Sequence, residues 1–96
     1  MKYRYSFEKN ALLLATRKIG FEEIIHGIER GNLLEIVAHP NQELYPSQKI
    51  MFVRLLDEVY VVPFVMEKDG TIFLKTLYPS RKARKIYLEK YQKRSS

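Results

Sequence analysis

The sequence predicts an α+β fold whose elements follow the order ααββββα. Apolar residues recur at helical spacing as far as residue 30, alternate with polar residues between residues 33 and 78, and return to helical spacing after Pro79. We therefore expect an N-terminal helical hairpin and a C-terminal helix that cover one face of an antiparallel four-stranded sheet.

Capping residues define the predicted helices. Ser6 is a good N-cap for a helix over 7–18, and Gly20 interrupts the periodicity before a second helix over 21–30. Ser80 is a good N-cap for the closing helix. The residues expected to face the core are Phe7, Ala11, Leu14 and Ala15 in the first helix, Phe21, Ile24, Ile25 and Ile28 in the second, and Ala83, Ile86, Tyr87 and Tyr91 in the third.

Four runs rich in β-branched and aromatic residues predict the strands: Leu33–Ala38, Gln48–Leu56, Val59–Glu67 and Thr71–Tyr78. Hairpin-length turns join the last three, and a longer loop that contains Pro40 and Pro46 precedes them. Pro63 has no N–H to donate, so we expect it at a sheet edge or at a bulge.

Length and composition predict one domain over 1–92, followed by a disordered tail over 93–96. The chain has no cysteine and two histidines, so we expect neither a disulfide framework nor a metal site, and no cofactor is implied. No apolar signal segment opens the sequence. A cytoplasmic protein that does not enter a membrane is the expectation.

Positive charge is concentrated at the two ends of the chain. The net charge is +6, with five Lys or Arg against one acid in residues 1–20, eight against one in 75–96, and four against nine in 21–74. If the two basic ends meet in space, they form a surface that attracts a phosphate backbone. The residues expected to contact RNA are Lys9, Arg17, Lys18, Lys82, Arg84 and Lys85.

The start of the closing helix is the most informative segment. Its first turn reads Arg81, Lys82, Ala83, Arg84, although cations there oppose the helix dipole by about 0.3–1 kcal/mol each. The same turn offers unpaired backbone N–H groups, so a bound phosphate would remove the penalty. This favours a nucleic-acid contact over a merely solvated basic face.

Short motifs resemble a known family. Lys9-Asn10-Ala11-Leu12, then Ile19-Gly20-Phe21-Glu22-Glu23, and finally Ser80-Arg81-Lys82-Ala83 with Tyr91 are similar to the BrnT toxins of bacterial type II toxin-antitoxin operons. The resemblance implies a RelE-like fold, ribonuclease activity and inhibition by a cognate antitoxin. Arg17 stands where that family usually has a histidine, and Tyr87 where it commonly has a glutamate.

RNA cleavage by a neighbouring 2′-OH needs a base, an acid and stabilisation of the charged phosphorane. Arg81, Lys75 and Arg54 are the candidates for charge stabilisation, since Arg presents a fork that suits phosphate oxygens. Arg54 alternates in phase with Ile50, Phe52 and Leu56, which indicates a charge on an apolar face; the alternative is a strand-end residue that extends to solvent. Lys75 shares its face with Phe73 and Leu77, and the alternative for it is an exposed strand lysine. Tyr78, beside the basic turn, is the first candidate for base stacking or proton transfer. His39 is a second proton-transfer candidate, although an ordinary loop position is favoured for it; His26 has the features of a surface residue.

Two functions from different classes follow. The first is a metal-independent endoribonuclease toxin that acts on RNA, free or on the ribosome, and is neutralised by an antitoxin. The alternative is a small RNA- or DNA-binding module without catalysis, favoured by the absence of the family's histidine and glutamate. An acidic antitoxin segment that replaces RNA phosphates with carboxylates is compatible with the first.

Overall fold

A computed structural model describes the backbone of residues 1–95 and the side chains of residues 1–89. The predicted α+β class is confirmed. The tail expected at 93–96 lies outside the residues whose side chains are described. The elements are β1 (Tyr3–Tyr5), α1 (Phe7–Arg17), α2 (Phe21–Glu29), β2 (Leu33–Ala38), β3 (Gln48–Leu55), β4 (Glu58–Met66), β5 (Ile72–Leu74), β6 (Tyr78–Pro79) and α3 (Arg81–Ser95).

The sheet is mixed rather than purely antiparallel. Its strand order is β1-β5-β4-β3-β2, and β6 pairs with β4 beyond the end of β5. Strands β2 to β5 form the predicted antiparallel meander, whereas β1 lies parallel to β5 with Tyr3 opposite Ile72. The prediction of four strands missed β1, because three residues give no periodic signal and this strand is defined by a partner about 70 residues away.

The predicted fourth strand is broken opposite Pro63. It divides into β5 and β6, and between them the N–H of Lys75 donates to the carbonyl of Pro63 at 2.8 Å. Pro63 cannot return a hydrogen bond, so the neighbouring strand leaves the ladder at this point. The expectation of an edge position was wrong, since β4 is the central strand; the irregularity lies in its neighbour.

Helices cover both faces of the sheet, not one. Alternation along β3 directs Met51 and Val53 toward the face on which α2 lies, whereas Ile50 and Phe52 point to the opposite face, under α3. We call these the α2 face and the α3 face. The central strand β4 is apolar at almost every position, which is typical of a strand covered on both sides.

The larger core lies on the α2 face. It joins helix and strand side chains that are at most 5% exposed, and its members are Leu13, Phe21, Ile24, Met51, Val53, Val62, Phe64, Ile72, Leu74 and Leu77. Phe21 also stacks on Tyr5 with ring centroids 4.8 Å apart. On the α3 face, Ala83 packs over the sheet, and the ring of Tyr87 packs on that of Phe52 with centroids 5.1 Å apart. No helix in the described part of the chain is long and apolar enough to cross a membrane.

The expected core stripe of α1 was wrong. Phe7, Ala11, Leu14 and Ala15 are all exposed, and Leu13 is the buried residue of this helix. The reason is that α2, not α1, lies directly against β3: Gly27 faces Leu55 so closely that an added Cβ would stand 2.7 Å from the Leu55 side chain. The α2 prediction is confirmed by the burial of Phe21 and Ile24.

Two hydrogen bonds hold the α1–α2 connection together, and their partners belong to the N-terminal motifs described above. The side-chain oxygen of Asn10 accepts a hydrogen bond from the N–H of Phe21 at 2.8 Å, and Glu23 accepts from Gly20 at 2.9 Å. Gly20 has no side chain to cap α2, so Asn10 supplies the cap from the preceding helix. A Cβ at Gly20 would lie 2.5 Å from that oxygen.

Replacement of Asn10 by alanine should therefore lower the free energy of unfolding by about 1–2 kcal/mol, the usual effect of losing an N-cap acceptor. Urea denaturation followed by circular dichroism measures this change. Asn10→Asp is the control, because it keeps the acceptor oxygen and should retain most of the stability. Equal losses in both variants would contradict a capping role.

Tyr87 anchors α3 to the edge strand β2. Its hydroxyl donates to Glu35, and burial together with this bond raises the pKa of Tyr87 from 10.0 to about 12. The protonated hydroxyl stabilises the fold fully below about pH 10, and this contribution is lost as the pH rises toward the folded-state pKa of about 12.

We expect the stability advantage of the wild type over Tyr87→Phe to shrink across this interval. Urea titrations of both proteins at about pH 9 and at about pH 11.5 provide the test. Titration of the other tyrosines affects both proteins alike and cancels in the difference. An advantage that stays constant with pH would show that the hydroxyl does not carry it.

Candidate nucleic-acid interface

The first turn of α3 carries three exposed basic residues and no acid. The predicted cap is present, since the Ser80 hydroxyl accepts from the N–H of Ala83 at 3.1 Å. By contrast, α1 and α2 carry Glu8 and Glu22 in their first turns, as the helix dipole favours. Among the three helices in the described part of the chain, α3 alone has no acid in its first turn. Its exposed basic residues are Arg81, Lys82, Arg84 and Lys85.

Aromatic and cationic side chains share the α3 face beside this turn. Tyr78 is opposite Val61 in the ladder and 40% exposed. Phe73 lies between two cations: the Lys75 nitrogen is 5.5 Å, and the Arg4 guanidinium carbon 5.7 Å, from its ring centroid. Arg4 is also paired with Glu67 at 2.8 Å, whereas Lys75 has no carboxylate within 4.0 Å in the described part of the chain.

Two contacts fix how α3 is rotated above the sheet. Ala83 is buried against it, and Arg84 reaches Glu58, at the β3–β4 turn, at 3.8 Å. Helical spacing then directs Lys82 to the opposite flank, toward the side of the sheet where Lys75 lies. Arg81 falls close to the solvent side. We call Tyr78, Phe73, Lys75, Arg4 and Lys82 the aromatic–basic surface.

Arg54 does not join this surface. As predicted, it shares the α3 face with Ile50 and Phe52, but it lies opposite Val59 while Lys75 is level with Pro63. These positions are about 13 Å apart along the strand direction and are further separated across the sheet. The Arg54 side chain donates to the carbonyl of Leu56 at 3.0 Å, which directs it toward the turn. The prediction that Arg54 gathers with Lys75 around one phosphate was wrong.

His39 is also remote from Tyr78. It follows the edge strand β2, so β3 and β4 separate it from β6. Its Nδ1 accepts from the N–H of Asn41 at 3.0 Å, and its ring packs on Tyr45 with centroids 4.5 Å apart. These contacts fit the loop position that the sequence favoured for His39.

The two basic ends of the chain meet, but not through the predicted residues. Strand β1 places Arg4 on the α3 face beside Lys75, whereas α1 carries Lys9, Arg17 and Lys18 on the α2 face. Arg17 lies at the β6 end of that face, close enough to Tyr60 to oppose the rise in the pKa of that tyrosine caused by burial and Glu58. The sheet therefore separates Lys9 and its neighbours from the start of α3.

Sequence reasoning missed Arg4 and Phe73 as site residues. Arg4 belongs to β1, which was not predicted. Phe73 was placed on one face with Lys75 and Leu77, but Leu77 is buried in the core of the α2 face, because the break between β5 and β6 reverses the alternation. The available signal was the alternation of Phe73 with Lys75 in one strand run.

A separate pocket of about 330 Å³ opens on the other side of the molecule, between α2 and the β3–β4 turn. His26 and Arg30 line it together with Leu56. His26 is exposed there, in agreement with the surface position expected for it. This pocket contains none of the residues predicted to contact RNA.

Comparison of the chain with protein-family models, curated proteins and solved structures finds no significant match.

Proposed function

We propose that this chain binds single-stranded RNA on its α3 face and acts as an endoribonuclease toxin of the RelE-like type, controlled by an antitoxin. The observation that carries the RNA contact is the aromatic–basic surface beside a helix start whose exposed charged side chains are all basic. Aromatic rings stack on unpaired bases, and nearby cations neutralise phosphates, which is the usual combination for binding a single strand.

The cleavage step of the proposal assigns three tasks. Tyr78 takes the proton of the attacking 2′-OH or stacks on the neighbouring base, Lys75 and Lys82 balance the charge of the phosphorane, and Arg81 contacts the adjacent phosphate. As Tyr78 in its phenolate form takes the 2′-OH proton, the new bond joins the 2′-oxygen to phosphorus. The bond to the 5′-oxygen then breaks, and the leaving oxygen takes up a proton from water. Neither a metal ion nor a cofactor is invoked.

A non-catalytic RNA-binding module is the second candidate, and a specific observation favours it. The predicted proton-transfer and charge-stabilising groups are not assembled in one place among the described side chains: His39 lies beyond two strands from Tyr78, and Arg54 is turned toward Leu56. Binding needs the aromatic–basic surface alone. Cleavage additionally needs Tyr78 and one of its cationic neighbours to act on the same phosphate.

The antitoxin is proposed from chemistry as well as from resemblance. A segment that carries carboxylates would satisfy the cations of α3 in place of RNA phosphates. It would then compete with RNA for the same surface, so occupancy by one partner would exclude the other.

One experiment separates these functions. Purified protein is titrated into a fluorescently labelled single-stranded RNA, the anisotropy gives the affinity, and the RNA is then analysed on a gel with and without translating ribosomes. Binding with cleavage in either setting supports the toxin. Binding with intact RNA supports the module, and failure to bind at low salt rejects both.

A salt series adds a quantitative expectation. The logarithm of the association constant should fall linearly with the logarithm of salt concentration, with a slope of about −0.7 for each phosphate neutralised on a single strand. The three cations Lys75, Lys82 and Arg81 together predict a slope of about −2. A slope near zero would contradict binding through phosphates.

A further inference from the structure

Helix α1 exposes an apolar stripe that its own fold does not use. Phe7 is 83% exposed and Leu14 43% exposed, and Ala11 and Ala15 are exposed beside them. Their spacing of four, seven and eight residues from Phe7 places them on one side of the helix. Lys18 follows directly as the C-cap of α1, with a left-handed backbone (φ 63°), and its long side chain is exposed at this end of the helix. Leu13, on the other side, is the contact that α1 makes with the core.

An exposed stripe of this kind is characteristic of an interface. The sequence pattern is that of a buried helix face, and the structure leaves the face open. Because most of the Phe7 side chain is in contact with water, its burial contributes little to the stability of the single chain.

The stripe is complementary to itself when two helices run antiparallel. If two copies of α1 cross between Ala11 and Leu14, the small Ala11 of one copy faces the larger Leu14 of the other. The same register sets Phe7 against the aliphatic part of Lys18, and brings the Lys18 ammonium near Glu8 of the second copy. Small side chains oppose large ones and an acid approaches a base, and a two-fold axis repeats both pairings.

We propose that α1 is the contact surface of a homodimer in which two copies pair antiparallel through Phe7, Ala11, Leu14 and Ala15. A helix of 11 residues spans about 16 Å, so the buried area falls in the range of weak, transient interfaces. The dimer should therefore depend on concentration. The surface lies on the α2 face, so dimerisation leaves the α3 face free, and the inference does not rest on the proposed RNA contact.

Sedimentation equilibrium between about 10 μM and about 1 mM tests the proposal. The weight-average mass of the wild type should rise from that of one chain toward twice that value. Ala11→Glu places a charge at the crossing point of both copies, and we expect this variant to stay monomeric throughout. Ala11 is exposed, so circular dichroism should show that the fold is kept. Leu44→Glu is the matched control, since Leu44 is 71% exposed in the β2–β3 loop, and its mass should follow the wild type.

A charge exchange tests the register. Glu8→Lys and Lys18→Glu should each weaken the dimer several-fold, and the double variant should recover most of the wild-type association. A wild type that is monomeric at about 1 mM, equal effects of Ala11→Glu and Leu44→Glu, or a double variant no better than the single ones would each overturn the antiparallel dimer.

Discussion

Replacement of Tyr78 by alanine should lower the affinity for single-stranded RNA by about 10- to 100-fold. One stacked base contributes about 1–3 kcal/mol, and Tyr78 is the exposed aromatic ring nearest to the basic start of α3. Anisotropy titrations at constant salt measure the change. Because the ring is 40% exposed on a two-residue strand, we expect its loss to leave the core intact, and a thermal melt checks this.

The variant Tyr78→Phe distinguishes the contribution of the aromatic ring from that of the hydroxyl group. The phenylalanine keeps the stacking surface, so RNA affinity should stay within about threefold of the wild type, which is less than 1 kcal/mol. If the hydroxyl transfers a proton, cleavage falls while binding persists. Loss of cleavage with normal binding would support the toxin, whereas unchanged cleavage would remove Tyr78 from the chemistry.

Tyr45 provides the matched control. Its ring is 43% exposed, close to the 40% of Tyr78, but it packs on His39 at the far edge of the sheet. Tyr45→Ala should change RNA affinity less than Tyr78→Ala. Equal losses would mean that the RNA path extends across the whole sheet or that exposed tyrosines bind it without a defined site.

Two double charge reversals should have very different effects on RNA affinity, although they change the net charge equally. Lys75→Glu with Lys82→Glu alters the α3 face, and we expect affinity to fall by about 100-fold or more and the salt slope to become shallower by about 1.4, which is two phosphate contacts. Lys9→Glu with Lys18→Glu alters α1 on the other face. Its effect should be small at 0.15 M salt, where charges are screened over about 8 Å.

This pair of variants also tests the sequence-based expectation that Lys9 and Lys18 contact RNA. A large loss from the α1 pair alone would restore that expectation and reject the α3 face. Similar losses from both pairs would indicate that RNA responds to the net charge of +6 without a defined surface.

The sequence predicted the elements whose signals are local. The caps at Ser6 and Ser80, the change from helical spacing to alternation, and the bounds of β2 all follow from neighbouring residues, and the structure confirms them. The burial of Phe21 and Ile24 was predicted for the same reason. The first turn of α3 was predicted to contact nucleic acid because basic residues at a helix start conflict with the helix dipole.

The errors concern relations between distant segments. The existence of β1, the placement of helices on both faces and the break opposite Pro63 depend on which strands become neighbours. The prediction of the site residues contains the same errors. Arg4 was missed because β1 was missed, and Arg54 and His39 were grouped with Tyr78 although strands separate them. Alternation predicts the face on which a side chain lies, but not its distance from a residue on another strand.

The pairing of β1 with β5 has a consequence for how the chain acquires its shape. Tyr3 and Ile72 are about 70 residues apart, so this contact closes more than two thirds of the chain into a loop and has a larger entropic cost than the hairpins. The hairpins β2–β3 and β3–β4 join residues that are close in sequence and can form earlier. During synthesis the first strand therefore waits, unpaired, until β5 has been made. We therefore expect Arg4 to take its place beside Lys75 among the last events of folding, and the aromatic–basic surface to be completed after the helices and hairpins that support it.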